Sequence, residues 1–88
     1  MANKTTQVRK IVMQYGNIFA MYNDKRKNGE RRLKFVFWDT PVSIDDMAVE
    51  VNKELTASGI DATAFKFIST DSGTYSEDIE MLVVVLAA

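Results

Sequence analysis

A length of 88 residues, a hydrophobic fraction of 47% and a formal net charge of −1 indicate one small folded domain and exclude a disordered chain. Cysteine and histidine are both absent, which excludes disulfides and thiolate nucleophiles and removes the commonest general base and transition-metal ligands. We therefore expect a non-enzyme without cofactor or metal, and, since no secretory signal or membrane span is visible, a cytoplasmic protein.

The first segment, residues 5–23, fits two structures. Its apolar side chains fall within one arc of a helical wheel, which predicts an amphipathic helix that covers one face of a sheet. Gly16 and Asn17 interrupt this pattern, and the many β-branched and aromatic residues favour strands. The alternative is therefore a hairpin in which residues 18–23 pair with residues 31–38. We expect the helix and keep the hairpin as the alternative.

Residues 44–57 predict the clearest helix of the chain. Ser43 is a suitable N-cap, and Gly59 lies just beyond the last turn, where glycine commonly ends a helix. Apolar residues recur every three or four positions between them and form a stripe that we expect to be buried. These residues are Ile44, Met47, Ala48, Val51 and Leu55.

Three predicted strands flank this helix, at residues 31–38, 62–69 and 78–86. The last one ends in MLVVVL, a run without a polar face, which is typical of a central strand that is covered on both sides. Placing it in the middle gives a split β-α-β sheet, with the first two strands parallel and the last antiparallel between them. A polar turn over residues 70–78 joins the last two strands. The expected fold is therefore a small α+β domain with a three-stranded sheet and an N-terminal helix.

Four phenylalanines of these strands have two interpretations. They are Phe35, Phe37, Phe65 and Phe67. On an exposed face they would form a platform on which the bases of a single-stranded nucleic acid stack. We favour their burial together beneath the helix, because a small domain has few large apolar side chains to spare. Val36, Trp38 and Ile68 then lie on the opposite face, which the first segment or another chain must cover.

The charges are sorted along the chain. Residues 1–34 carry nine basic and two acidic side chains, a net +7, whereas residues 35–88 carry ten acidic and two basic ones, a net −8. Six of the cations lie within residues 25–34, around Asn28 and Gly29, a pair that favours a turn. The candidate nucleic-acid-binding residues are Arg9, Lys10, Lys25, Arg26, Lys27, Arg31, Arg32 and Lys34.

These charges support two functional hypotheses. In the first, the basic half binds the phosphates of nucleic acid or of a nucleoprotein complex. In the alternative, the protein is an accessory or inhibitor, of the kind that viruses and mobile elements encode, and binds a protein through its acidic half or an open sheet face. The residues for that interaction are Asp46, Glu50, Glu54 and Trp38. The opposite charges of the two halves also predict a homodimer or higher oligomer.

Overall fold

The computed structural model describes residues 3–70 and 78–88, and this part of the chain forms two helices and one four-stranded sheet. The elements are α1 (Lys4–Val12), β1 (Asn17–Lys25), β2 (Arg31–Asp39), α2 (Ile44–Ala57), β3 (Ala62–Thr70) and β4 (Asp78–Leu86). All neighbouring strands are antiparallel, in the order β1-β2-β4-β3. The polar turn predicted over residues 70–78 falls, apart from its two ends, outside the described residues.

The α+β fold class is confirmed, and so is the central position of the last strand. β4 pairs antiparallel with β2 on one side and with β3 on the other. β2 and β3 therefore run parallel to each other with β4 between them, as the split β-α-β sheet predicts. The sheet has four strands rather than three because the first segment of the chain contributes β1.

The prediction of a single helix over residues 5–23 is wrong beyond its first part. α1 ends at Val12, and the chain from Asn17 onward pairs with β2 as the alternative hairpin predicts. Between the two elements, a Cβ atom added to Gly16 would lie 2.9 Å from Cδ1 of Phe37. The backbone thus passes so close to Phe37 at Gly16 that a larger residue there would have to displace this ring.

α2 begins and ends where the sequence predicts. The Oγ atom of Ser43 accepts a hydrogen bond from the backbone N–H of Asp46 at 3.1 Å, which caps the first turn. Gly59 has a φ of +69° just beyond the helix, in the left-handed region that glycine adopts at low cost. The predicted apolar stripe of α2 is buried in one cluster with α1, β2 and β4.

Both helices pack on the same face of the sheet. Val8 and Val12 of α1 are fully buried in the cluster that also holds Leu55 of α2 and Phe35 of β2. Of the two covers predicted for the opposite face, the first segment or another chain, the first is therefore wrong. We call that opposite surface the open face, because no described helix packs on it. Its exposed aromatic residues are Phe19, Tyr22, Trp38, Phe65 and Phe67.

Candidate nucleic-acid interface on the open face

The strand register decides which side chains share the open face. Phe35 pairs with Leu82, and both side chains are buried beneath the helices. One position away, Lys34 pairs with Val83, and Val83 pairs in turn with Phe65. Since successive side chains of a strand point to opposite faces, this second row of residues crosses the open face.

The four phenylalanines of the sequence are thus divided between two faces. Phe35 is fully buried, and Phe37 is half-buried against the core. Phe65 and Phe67, by contrast, are 39% and 47% exposed. The expected burial of all four is wrong for this second pair. Ile68, the neighbour of Phe67 in β3, points to the helix side. The prediction that Ile68 lies on the opposite face is therefore wrong.

A groove of about 220 Å³ lies on the open face between the two hairpins of the sheet. We call it the basic-aromatic groove. Its lining residues are Arg26, Arg32 and Lys34 from the β1–β2 hairpin and Phe65, Phe67 and Val83 from the β3–β4 hairpin. Val83 is only 3% exposed although no described helix covers it. Its cross-strand partners flank it, with the ring of Phe65 on one side and the aliphatic part of the Lys34 side chain on the other. One side of the groove is therefore cationic and the other aromatic.

Two cations of the groove form ion pairs within the hairpin. Lys34 Nζ lies 3.0 Å from Asp24 Oδ2, and Arg32 Nε lies 3.2 Å from Glu30 Oε2. All four side chains remain partly exposed. Exposed ion pairs contribute about 0–1 kcal/mol, so an incoming anion can replace these carboxylates at small cost.

The turn between β1 and β2 fixes the third cation of the groove. Arg26 donates its backbone N–H to the carbonyl oxygen of Glu30 at 2.7 Å and accepts the backbone N–H of Gly29 at 3.0 Å. Asn28 Oδ1 accepts the N–H of Glu30 at 3.0 Å, and Gly29 has a φ of +86°. Asn28 and Gly29 therefore lie in a turn, as predicted, and this turn holds Arg26 beside the groove.

The other five predicted basic residues do not line this groove. Lys25 pairs with Arg31 across β1 and β2. Arg31 is adjacent to the groove residue Arg32, and since adjacent side chains of a strand point to opposite faces, this pair points to the helix side. Lys27 is exposed in the turn. Arg9 and Lys10 lie in the last turn of α1, and Arg9 borders a cavity at the far end of β1. The structure thus distributes the predicted cations over both sides of the sheet.

The acidic residues of α2 are partly engaged within the protein. Glu54 accepts hydrogen bonds from the hydroxyl of Tyr15 and, at 3.1 Å, from Nε2 of Gln14. The hydrogen bond to the carboxylate, together with burial, raises the pKa of Tyr15 to about 12. Glu50 forms an ion pair of 3.3 Å with a lysine one turn away, and Asp46 is exposed. Glu54 is therefore a structural contact as well as a surface charge.

Trp38 has the most exposed large apolar side chain in the described ranges, at 72%. Its ring meets that of Phe19 edge to face, with the centroids 4.2 Å apart. Sequence reasoning missed Phe19, because the register of β1 shifts between Ile18 and Ala20 and no local pattern marks such an irregularity. The two rings form a second exposed aromatic site at the other end of the open face.

None of the described helices is both long and apolar enough to cross a membrane. Residues 3–70 and 78–88 contain no group of three or more side chains that could hold a metal ion. Comparison of the chain with protein-family models, with curated proteins and with solved structures finds no significant match.

Proposed function

We propose that this protein binds nucleic acid, alone or in a nucleoprotein complex, through the cations of its β1–β2 hairpin. The observation that carries the proposal is the basic-aromatic groove, in which Arg26, Arg32 and Lys34 lie opposite Phe65 and Phe67. Cations along an exposed groove can contact successive phosphates, and the release of counterions supplies affinity.

The local charge of the hairpin supports this proposal. Residues 24–34 contain six basic side chains and two acidic ones, so the ion pairs with Asp24 and Glu30 leave a net charge of +4. Of the remaining five candidate cations, Lys25, Lys27 and Arg31 lie at or beside the same turn, whereas Arg9 and Lys10 lie in the last turn of α1. A polyanion is therefore the partner that this end of the molecule favours.

The test is fluorescence anisotropy with labelled single- and double-stranded DNA and RNA at about 50 and 200 mM salt. We expect binding that weakens steeply between these concentrations. Arg32→Gln should lower the affinity several-fold and reduce the salt slope by about 1, since one phosphate contact is lost. Lys53→Gln, which removes the same charge from α2, is the matched control and should change neither quantity appreciably.

Two results would refute the proposal. One is the absence of binding to all four nucleic acids at the lower salt concentration. The other is an equal effect of Arg32→Gln and Lys53→Gln, because a site on the hairpin must distinguish a groove cation from a cation of α2.

A protein partner is the second candidate, and the exposed pair of Trp38 and Phe19 favours it. Exposed aromatic side chains are typical anchors at the centre of protein interfaces. An accessory or inhibitor protein of this kind would combine this pair with the acidic residues of α2. The hypothesis of a protein partner predicts no binding to nucleic acid alone. The anisotropy experiment therefore also distinguishes a protein partner from a nucleic-acid partner.

A further inference from the structure

We infer that the ligand of the basic-aromatic groove is a single-stranded nucleic acid whose bases stack on Phe65 and Phe67 while its phosphates contact Arg32 and Lys34. This inference rests on the proposed function. It adds the class of nucleic acid and the groups that recognise it.

The spacing of the two rings favours a single strand. Phe65 and Phe67 are two positions apart on β3, so their Cα atoms lie about 6.6 Å apart along the strand. The bases of a duplex are about 3.4 Å apart and cover each other's faces. Two rings at the wider spacing can stack only on bases that have separated from their neighbours, as in an extended single strand.

The position of the cations relative to the rings supports the same ligand. Lys34, Val83 and Phe65 form one row across three adjacent strands, so the backbones that carry the cation and the ring are about 10 Å apart. Lys34 lines the same groove as Phe65, and its Nζ is paired with Asp24 of β1, on the other side of β2. A nucleotide presents a flat apolar base and a charged phosphate, which match the aromatic and cationic sides respectively.

The exposure of the rings is the observation that phosphate binding alone does not explain. The groove cations would suffice to bind the backbone of a duplex, yet Phe65 and Phe67 are 39% and 47% exposed beside them. An acidic peptide would likewise use the cations without requiring stacking surfaces. The combination of exposed rings and cations therefore indicates a ligand with bases that are free to stack.

The ion pair between Lys34 and Asp24 gives the inference an independent consequence. The carboxylate of Asp24 occupies, 3.0 Å from Lys34 Nζ, the place that a phosphate oxygen would take. Asp24→Asn removes this competing charge and keeps the size of the side chain. We expect this variant to bind a single strand several-fold more tightly than the wild-type protein.

The decisive experiment compares labelled single-stranded oligonucleotides with a duplex of the same length at about 50 mM salt. We expect the single strand to bind at least about tenfold more tightly. Phe65→Leu and Phe67→Leu remove one ring each and keep an apolar side chain, and each should weaken single-strand binding about 5- to 100-fold. Phe19→Leu changes an exposed ring outside the groove and serves as the matched control. Thermal unfolding of each variant verifies that it is folded.

A fluorescent base analogue in the oligonucleotide reports stacking separately from affinity. Its emission should be quenched on binding to the wild-type protein and less so with the two groove variants. Equal affinity for single strand and duplex, with no effect of either phenylalanine variant, would overturn the inference and leave the proposed function intact. The failure of every nucleic acid to bind would overturn both. Tighter binding to poly-glutamate than to the oligonucleotides would instead identify an acidic protein as the ligand.

Discussion

Tyr15 connects the segment after α1 to α2 through a single titratable contact. Its hydroxyl donates a hydrogen bond to the carboxylate of Glu54, which also accepts one from Gln14. Because the neutral phenol is the donor, the contact holds only while Tyr15 is protonated. Glu54, which the sequence suggests as a residue for binding a protein, thus also helps to position α1 against α2.

This contact predicts a stability difference that depends on alkaline pH. The pKa of Tyr15 rises from 10.0 to about 12 on folding, so its contribution is complete below pH 10 and is lost as the pH rises through 12. Tyr15→Phe should therefore lower the unfolding free energy by about 1 kcal/mol near neutral pH and by progressively less above pH 10.

Urea denaturation of both proteins at about pH 7, 9, 11 and 12 measures this difference. Tyr22→Phe, which removes an exposed hydroxyl from β1, is the control and should match the wild-type protein throughout. A difference between wild type and Tyr15→Phe that stays constant up to pH 12 would contradict the assignment of the effect to this hydrogen bond.

Among the elements, α2 protects the edge of the sheet at β3. Asn52 Nδ2 donates to the carbonyl oxygen of Ala64 at 2.9 Å, and Asn52 Oδ1 accepts the backbone N–H of Ala64 at 2.8 Å. The carboxamide thus pairs with Ala64 as one residue of a further strand would. Since Ala64 is buried, both of its backbone groups depend on this side chain.

Removing the carboxamide should destabilise the protein measurably. Asn52→Ala leaves a buried donor and a buried acceptor without these partners, and we expect a loss of about 1–3 kcal/mol in the free energy of unfolding. For a domain of this size, each kcal/mol lowers Tm by about 4–8 °C. Asn52→Asp keeps the acceptor but loses the donor, and it should also be destabilised. Lys53→Ala, an exposed neighbour on α2, is the control; a Tm of Asn52→Ala equal to that of this control would refute the role of the contact.

Elements that depend on local signals could be predicted from the sequence. Ser43 and Gly59 mark the ends of α2 by their own conformational preferences, and the run of valines in β4 indicates a central strand without reference to any partner. The end of α1 was harder to predict, because the chain from Asn17 onward is held in a strand by its pairing with β2, a partner that local sequence patterns do not identify.

The candidate site could be predicted only in part, for a related reason. The density of cations near the β1–β2 turn is visible in the sequence, but which of two adjacent arginines faces the groove is not. Arg31 and Arg32 point to opposite faces, and a shift of one residue in the register would exchange them. The same dependence on register explains why Phe65 was assigned to the core although it lies on the open face.

In the whole molecule, the charge asymmetry of the sequence becomes an asymmetry along the strands. β2 begins at Arg31, which pairs with the end of β4, and it ends at Asp39, so the start of β4 at Asp78 lies toward the same end as Asp39. The first turn of α2 also lies near this end. Lys66 Nζ is 3.6 Å from Asp45 Oδ2 in that turn and 3.1 Å from Oε1 of Glu80, which lies two residues after the start of β4. One end of the sheet is therefore basic and the other acidic.

Such an arrangement predicts head-to-tail association of copies, in line with the oligomer expected from the sequence. Attraction between opposite ends is screened within about 10 Å at 0.1 M salt, so association should be visible at about 20 mM salt and largely lost at 300 mM. Sedimentation velocity at both salt concentrations measures this. Association that is unchanged by salt and abolished by Trp38→Ser would instead assign the interface to the open face, and a monomer under both conditions would contradict oligomerisation.

The seam between the two hairpins has a consequence for how the proposed binding surface forms. β2 and β4 are joined by five residue pairs, from Arg31 with Leu86 to Phe35 with Leu82, and these partners are 47 to 55 positions apart in the chain. Each hairpin closes through nearby residues, whereas the seam requires a long loop to close and is expected to form late in folding. Since the cations belong to one hairpin and the rings to the other, the groove arises only when the seam closes. A substitution that separates the two hairpins would therefore remove the groove, and with it the proposed binding site.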